Sequence, residues 1–257
     1  MQKTILITGS TSGIGLGIAK EFAKTKQYNI IFNGLETNGQ EIADGIAKEF
    51  DIQIMYNNAN MLKPEELRKM VSDGIAKFGK IDILVNNAGI QHVSPIEDFP
   101  DDKWNAIIGI NLTSAFYLSK AVWPGMKERK FGRIINIASA HGLVASEFKS
   151  AYVSAKHGIV GLTKTLGLEG APFNITCNAI CPGYVKTPLV EKQIADQAKA
   201  HNMSESDVIN KVMLLKQAVK EFVTVESIGQ LALFLANENA NTITGTAIPI
   251  DGGWNAQ

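Results

Sequence analysis

The chain has 257 residues, 45% of them hydrophobic, which is enough to bury one sizeable α/β core. Lys plus Arg and Asp plus Glu each number 25, and the charges are interspersed, so there is neither the basic excess of a nucleic-acid-binding protein nor a charged tail. No stretch approaches the roughly 20 apolar residues of a membrane span and none has the layout of a secretory signal; a cytoplasmic protein handling small molecules, with no nucleic-acid or membrane partner, is expected.

Strand and helix patterns alternate regularly. Thr4–Thr8, Asn29–Phe32, Gln53–Met55, Ile81–Val85, Arg133–Ile137, Ile175–Ile180 and Ala247–Ile250 read as strands, apolar throughout as expected where both faces of a sheet are covered. Between them, Gly15–Lys24, Gly39–Phe50, Pro64–Phe78, Asp101–Arg129, Ser150–Leu168 and Val225–Ala236 carry helical patterns. The alternation predicts a single doubly wound α/β domain over residues 1–257, a seven-stranded parallel sheet with helices on both faces. One segment, Tyr184 to about Val223, breaks the rhythm with a long helical excursion. Ligands in such sheets bind beyond the carboxyl ends of the strands, so the excursion is expected to be a lid.

The first strand runs into Thr8-Gly9-Ser10-Thr11-Ser12-Gly13-Ile14-Gly15 and straight on into a helix. Glycines permit a tight turn and close backbone approach to a pyrophosphate, and the helix start offers free N–H groups and a positive dipole end. In this strand–loop–helix context the motif predicts a Rossmann-type dinucleotide site. The second strand ends Phe32-Asn33-Gly34-Leu35-Glu36, and neither it nor the glycine loop holds a basic residue for a 2′-phosphate, so NAD is expected rather than NADP. The usual ribose-binding Asp is missing; Glu36 stands near enough to turn inward, but the preferred reading has Leu35 walling the adenosine and Glu36 an exposed turn residue. Cys177 and Cys181 lie four apart in a strand, too far for a disulfide at roughly 3.3 Å rise per residue, and no metal-ligand cluster accompanies them.

Tyr152 and Lys156 stand four apart in a helical stretch and so share a face. A free phenol titrates near ~10, and a neighbouring cation favours its ionised form. The pair therefore reads as a proton acceptor for an alcohol, with Ser139, at the end of the fifth strand, placed to hydrogen-bond the reacting oxygen.

With Asn86-Asn87-Ala88-Gly89, Asn111 and Pro182-Gly183 added, these motifs in this order resemble the short-chain dehydrogenase/reductase family over essentially the whole chain. The resemblance implies an NAD(H)-dependent oxidoreductase in which Ser139, Tyr152 and Lys156 are catalytic and Asn111 holds a water that relays protons from Lys156 to solvent. It implies that Gly9, Thr11, Ser12, Gly13, Ile14, Gly15, Leu35, Asn60, Met61, Asn86, Ala88, Gly89, Pro182, Gly183, Val185 and Thr187 hold the cofactor together with Tyr152 and Lys156. Asn60 stands where relatives usually carry Asp against the adenine. A homotetramer paired through the Asp101–Arg129 and Ser150–Leu168 helices is implied as well.

The segments Gly89–Ile96, Ser139–Ala145, Lys149–Tyr152 and Thr187–Gln193 resemble bacterial D-3-hydroxybutyrate dehydrogenases. That resemblance implies a carboxylate clamp of Gln91, His141, Lys149 and Gln193, with Trp254 completing the pocket from a neighbouring subunit. All four clamp residues can donate hydrogen bonds, and Lys149 adds charge. Glu147, where relatives often have Pro, either competes for Lys149 or faces solvent. The expected reaction is D-3-hydroxybutyrate to acetoacetate. Two readings compete: a reductase of another oxoacid or of 3-oxoacyl thioesters, and a non-catalytic NAD(H)-binding sensor. The carboxylate clamp speaks against the thioester reductase, and the intact Ser139, Tyr152 and Lys156 speak against the sensor.

Overall fold

Residues alternate sides along a strand, so a strand apolar at every position must be covered twice. In the computed structural model, which describes residues 2–187, 190, 194, 198 and 203–256, the seven runs form one parallel sheet whose five inner strands are buried almost throughout and whose two edge strands are partly exposed. The strands are β1 (Lys3–Ile7), β2 (Tyr28–Asn33), β3 (Ile54–Asn57), β4 (Ile83–Asn86), β5 (Gly132–Ile137), β6 (Ile175–Pro182) and β7 (Ala247–Ile250). Their spatial order is β3-β2-β1-β4-β5-β6-β7, and Ile5 of β1 stands level with Ile30 and Ile83 on either side.

The alternation sorts the core into two layers. Ile5, Ile7, Ile30 and Phe32 face α1 (Gly13–Lys24), α2 (Gly39–Phe50) and the helix Val225–Leu235, which contribute Phe22, Ile46 and Ile228. Leu6, Ile31, Leu84 and Ile134 face the other way, onto α3 (Pro64–Phe78) and α5 (Ser114–Arg129) through Leu67, Met70, Leu118 and Met126. On that side α6 (Ser150–Gly170) lays Ile159 and Val160 against Ala138, Ala179 and Cys181. Cys177 and Cys181 are buried free thiols, and burial pushes them up to about 12 and about 11 respectively, so they are inert.

The segment read as one helix, Asp101–Arg129, is not a uniform α-helix. α4 (Asp101–Ile108) passes into a π-helical turn, Gly109–Thr113, before α5 begins. Such a turn accommodates one extra residue in the helical path and marks functional positions in many folds; here it carries Asn111.

After β6 the chain leaves the sheet at Tyr184 and returns at Val223. The two ends meet: Val223 N donates to Tyr184 O at 2.9 Å and Lys186 N to Val223 O at 3.1 Å. The described part of this excursion has its own apolar cluster, in which Ile194, Val208 and Met213 are buried against Tyr184 and Phe222.

α1 starts so close to β1 that its third residue has no room for a side chain: a methyl group on Gly15 would be driven into the Gly9 carbonyl oxygen and Asn87 Nδ2. Replacing a helical glycine by alanine ordinarily stabilises by up to about 1 kcal/mol. Here Gly15→Ala should instead destabilise by about 1–3 kcal/mol through overpacking. Urea unfolding measures the sign, and a midpoint that rises would show that the loop yields freely.

Candidate active site

A cleft of about 790 Å³ opens at the carboxyl ends of β1 to β5, where the sheet order reverses between β1 and β4. At one wall, Gly9 and Gly13 hold φ of +57° and +52°, a region L side chains rarely adopt. Asn87 Nδ2 donates to Thr8 O and Gly9 O, both at 2.9 Å, and Asn33 Oδ1 accepts from Gly9 N at 3.2 Å, so the loop is fixed from two sides. Ser12 occupies the cap position of α1, yet its Oγ donates to Glu36 at 3.1 Å rather than accepting from the helix. No acidic side chain stands in the first turn. Ser12, Gly13 and Ile14 line the cleft where the N–H groups of the first turn lack helical partners, an arrangement that suits the pyrophosphate of a dinucleotide.

Glu36 is both the exposed residue expected and an inward-turned one. It is solvent-accessible, but its carboxylate bends back onto the loop and accepts from Thr11 Oγ1 and Ser12 Oγ. Burial pushes its pKa up, but the bonds from Thr11, Ser12 and the backbone win and hold it below the usual carboxylate range. The sequence carried a signal for this, an acid just past β2 opposite two loop hydroxyls. Leu35 does line the cleft, although 66% of it is exposed.

Of the remaining residues expected at the cofactor, Asn60, Met61, Ala88, Gly89 and Thr187 line the cleft. Asn60 spends its side-chain oxygen on Leu62 N at 2.9 Å, which leaves its amide group to donate. Thr11 and Gly15 are buried behind the loop and support it. Asn86 turns away from the cleft, its Nδ2 donating to Asn136 Oδ1 at 2.8 Å, and Asn87 takes the place at the wall. Pro182, Gly183 and Val185 form the exit of β6 and the neck of the excursion rather than the cleft lining.

At the inner end of the cleft, Lys156 and Tyr152 lie one turn apart on α6, the ammonium 5.5 Å from the phenol ring. Lys156 is 4% exposed and donates to Ile137 O at 2.7 Å; burial lowers its pKa to about 8. Burial raises that of Tyr152, with Ser139 pulling the other way. For the tyrosine, desolvation outweighs the hydrogen bond with Ser139. Asn111, 4% exposed on the π turn, spends its side chain on Ile90, accepting from Ile90 N and donating to Ile90 O, both at 2.9 Å. Its side chain pins the loop beyond β4 and, among the described residues, forms no direct hydrogen bond with Lys156.

The residues expected at the substrate divide into two groups. Gln91 lines the cleft. Ser139 starts a short turn in which its Oγ accepts from His141 N at 3.1 Å. His141 is buried with its ring 6.0 Å from Tyr152 and 5.1 Å from Trp254, and its Nε2 meets Ser146 Oγ at 2.7 Å. Trp254, expected from a neighbouring subunit, is buried in its own chain, stacked on Tyr184. Lys149 lies in an adjoining hollow with Ser146, Glu147, Phe148 and Lys216. Glu147 is exposed there and, among the described residues, forms no ion pair with Lys149. Gln193 lies outside the described residues. Lys216 was not picked out by sequence reasoning, because a lysine in a polar excursion carries no local signal.

Comparison with known proteins places these features in a family. A family profile described as short chain dehydrogenase matches residues 3–198. A protein of Rhizobium meliloti named D-beta-hydroxybutyrate dehydrogenase is 53% identical over 259 residues, covering 100% of both chains. One of the same name from Cupriavidus necator is 51% identical over 255 residues, covering 99% of this chain and 98% of its own. Among solved structures, a single-residue variant of actinorhodin polyketide ketoreductase with NADPH superposes with a TM-score of 0.92 at 28% identity, covering 100% of this chain and 98% of that one.

The electrostatics of the inner end can be measured directly. Burial, reinforced by the charges of Lys149 and Lys216, lowers the His141 pKa to about 4. Its imidazole should stay neutral across the working range, a hydrogen-bonding group and not a counter-charge. The NMR shifts of its ring should be flat between about pH 5.5 and 8; a titration midpoint above ~6, where a free histidine titrates, would contradict this burial.

Proposed function

This chain belongs to the short-chain dehydrogenase family, and we propose that it oxidises D-3-hydroxybutyrate to acetoacetate with NAD, and runs the reverse reduction. The observation that carries the reading is the convergence of Ser139, Tyr152 and a buried Lys156 under a glycine-loop cleft, with the cationic hollow of Lys149 alongside. A hydroxy acid presents one alcohol and one carboxylate, and these two regions answer them separately. The names and identities of the two bacterial relatives support the same substrate.

The residues fit a dinucleotide. The positive-φ glycines and open first-turn N–H groups would hold the pyrophosphate, and Asn60, Met61, Ala88 and Leu35 the adenosine side. The Glu36 carboxylate at the glycine loop favours NAD, because a 2′-phosphate there would meet like charge and no basic partner. When bound, NAD would take the hydride from the alcohol carbon, and its positive ring would favour the tyrosine phenolate. Tyr152 takes the hydroxyl proton as the C–H bond breaks and the carbonyl forms. Ser139 holds the substrate oxygen, and Lys156 holds the charge beside Tyr152. Lys149, Gln91 and Gln193 are assigned to the carboxylate, with His141 as a neutral donor. The excursion between Tyr184 and Val223, closed at its neck, is assigned the role of a lid within a single domain. Exposed Phe116 on α5 and Leu168 on α6 support assembly of copies, with a homotetramer as the form expected.

The direct assay is NADH formation with D-3-hydroxybutyrate, L-3-hydroxybutyrate and a neutral secondary alcohol, each with NAD and with NADP. Activity confined to the D acid with NAD is expected; preference for the neutral alcohol would remove the carboxylate site. Tyr152→Phe should cut kcat by about 10²–10⁴-fold, the usual span for a general base, with NADH binding retained. Retention of near-normal turnover would overturn the assignment.

The pH profile follows from the coupled pair. A neutral lysine beside a phenol and an ammonium beside a phenolate are the same protonation state of Tyr152 and Lys156. The first proton leaves near the Lys156 value of about 8, so kcat/KM for oxidation should rise as pH increases through that region. A profile flat from about pH 6 to 10 would disprove the coupling.

A further inference from the structure

A chain of buried polar side chains crosses the apolar layer between the sheet and α6. Asn86 Nδ2, at the end of β4, donates to Asn136 Oδ1 on β5 at 2.8 Å, and Asn136 Nδ2 donates to Thr163 Oγ1 on α6 at 2.8 Å. The Thr163 hydroxyl gives its own proton to Ile159 O at 2.7 Å, so towards the asparagine its oxygen accepts, and the orientation of the amide is fixed. Asn136, Thr163 and Cys177, whose Sγ lies 3.5 Å from Asn136 Nδ2, are all 0% exposed. Tyr152, Lys156, Ile159 and Thr163 follow one another at helical spacing and so share one face of α6. At the other end of the chain Asn87, next to Asn86, holds the glycine loop through Thr8 O and Gly9 O. The chain therefore runs from the wall of the cleft to the helix face that carries the acid–base pair.

We propose that Asn136 and Thr163 are positioning residues for the oxidation: their hydrogen bond sets how α6 sits on the sheet, and so where Tyr152 and Lys156 stand in the cleft. The assignment rests on the roles proposed above for those two residues. Around the bond, α6 meets the sheet through Ile159 and Val160 against Ala138, Ala179 and Cys181. Apolar contact is non-directional, so it holds the helix down without choosing among closely similar settings. A fully buried amide has no water to turn to, so every setting that breaks its bond is penalised. A single buried asparagine selects the alignment of packed helices in coiled coils on the same principle. Lys156 gives a second point of attachment at the next residue of the strand, donating to Ile137 O at 2.7 Å. That contact belongs to a group that titrates, whereas the amide and the hydroxyl of the Asn136–Thr163 bond keep their protons at working pH. The helix is thus held in one setting whatever the protonation of the lysine.

The test compares wild type with Thr163→Val, which keeps the shape of the side chain and removes its hydroxyl, and with Thr163→Ser and Asn136→Ala. Thr163→Val should lower kcat for D-3-hydroxybutyrate by about tenfold, within the ~100-fold that a displacement of about 1 Å costs, while NADH binding and KM for the acid stay close to wild type. Thr163→Ser, which retains the bond, should restore kcat. Asn136→Ala should lower kcat as well, and the double variant should be no slower than the slower single one, because the two residues act through one bond. If Thr163→Val lowers the midpoint of urea unfolding yet keeps the wild-type kcat, the bond serves the fold alone and the proposal is overturned. Losses that multiply in the double variant, or a Thr163→Ser as slow as Thr163→Val, would overturn it too. Should Thr163→Val fail to fold, Thr163→Ala, which adds no atom to the core, carries the same expectation. If wild type turns over no 3-hydroxy acid, or Tyr152→Phe turns over normally, the proposal falls with the reading it rests on.

Discussion

The reversal of strand order beside β1 is the constraint on which this molecule depends. Strands added on one side of β1 run β2 then β3, and on the other β4 to β7, so the crossovers after β1 and β4 depart in opposite directions and leave a crevice between them. Nothing in the crevice has to be carved out of a packed core. It exists because two connections part, and the glycine loop and the Asn87 segment form its edges. Asn87 then ties the two edges together through the carbonyls of Thr8 and Gly9, so the gap is fixed in width as well as in place.

The chemistry at the inner end uses a second constraint, burial. Burial makes a lysine sealed under β5, where it donates to Ile137 O, give up its proton more easily, and makes a sealed tyrosine hold on to its own. The tyrosine alone would be a poor base at neutral pH. The two stand one helical turn apart, with the ammonium 5.5 Å from the centre of the phenol ring. His141 shows the same environment used differently: it is kept neutral, so it orients without adding charge.

Most of the architecture was legible because it follows from pattern. Strand boundaries fell within a few residues, and the alternation of elements was enough to give a parallel sheet. What the sequence hid depends on neighbours distant in the chain. The π turn at Asn111 obeys no local periodicity. Glu36 looked like a turn residue because its partners, Thr11 and Ser12, lie some 25 positions earlier. Asn86 and Asn87 are adjacent and identical in type, and only the pleat decides which one faces the sheet and which the cleft. Trp254, placed at a neighbouring subunit by resemblance alone, packs on His141 of its own chain, and nothing in its local sequence foretells that contact.

The neck between Tyr184 and Val223 has a consequence for how this enzyme's relatives can diverge. Because the excursion begins and ends at one pairing point, its length hardly enters the energetics of the sheet: doubling a loop whose ends are already joined costs only about 0.6 kcal/mol. The excursion is in that sense an interchangeable cassette. Insertions, deletions or wholesale replacement beyond the neck leave the strands, the glycine loop and the Tyr152–Lys156 pair undisturbed. Selection can recast the excursion while the sheet and the residues it positions are inherited unchanged.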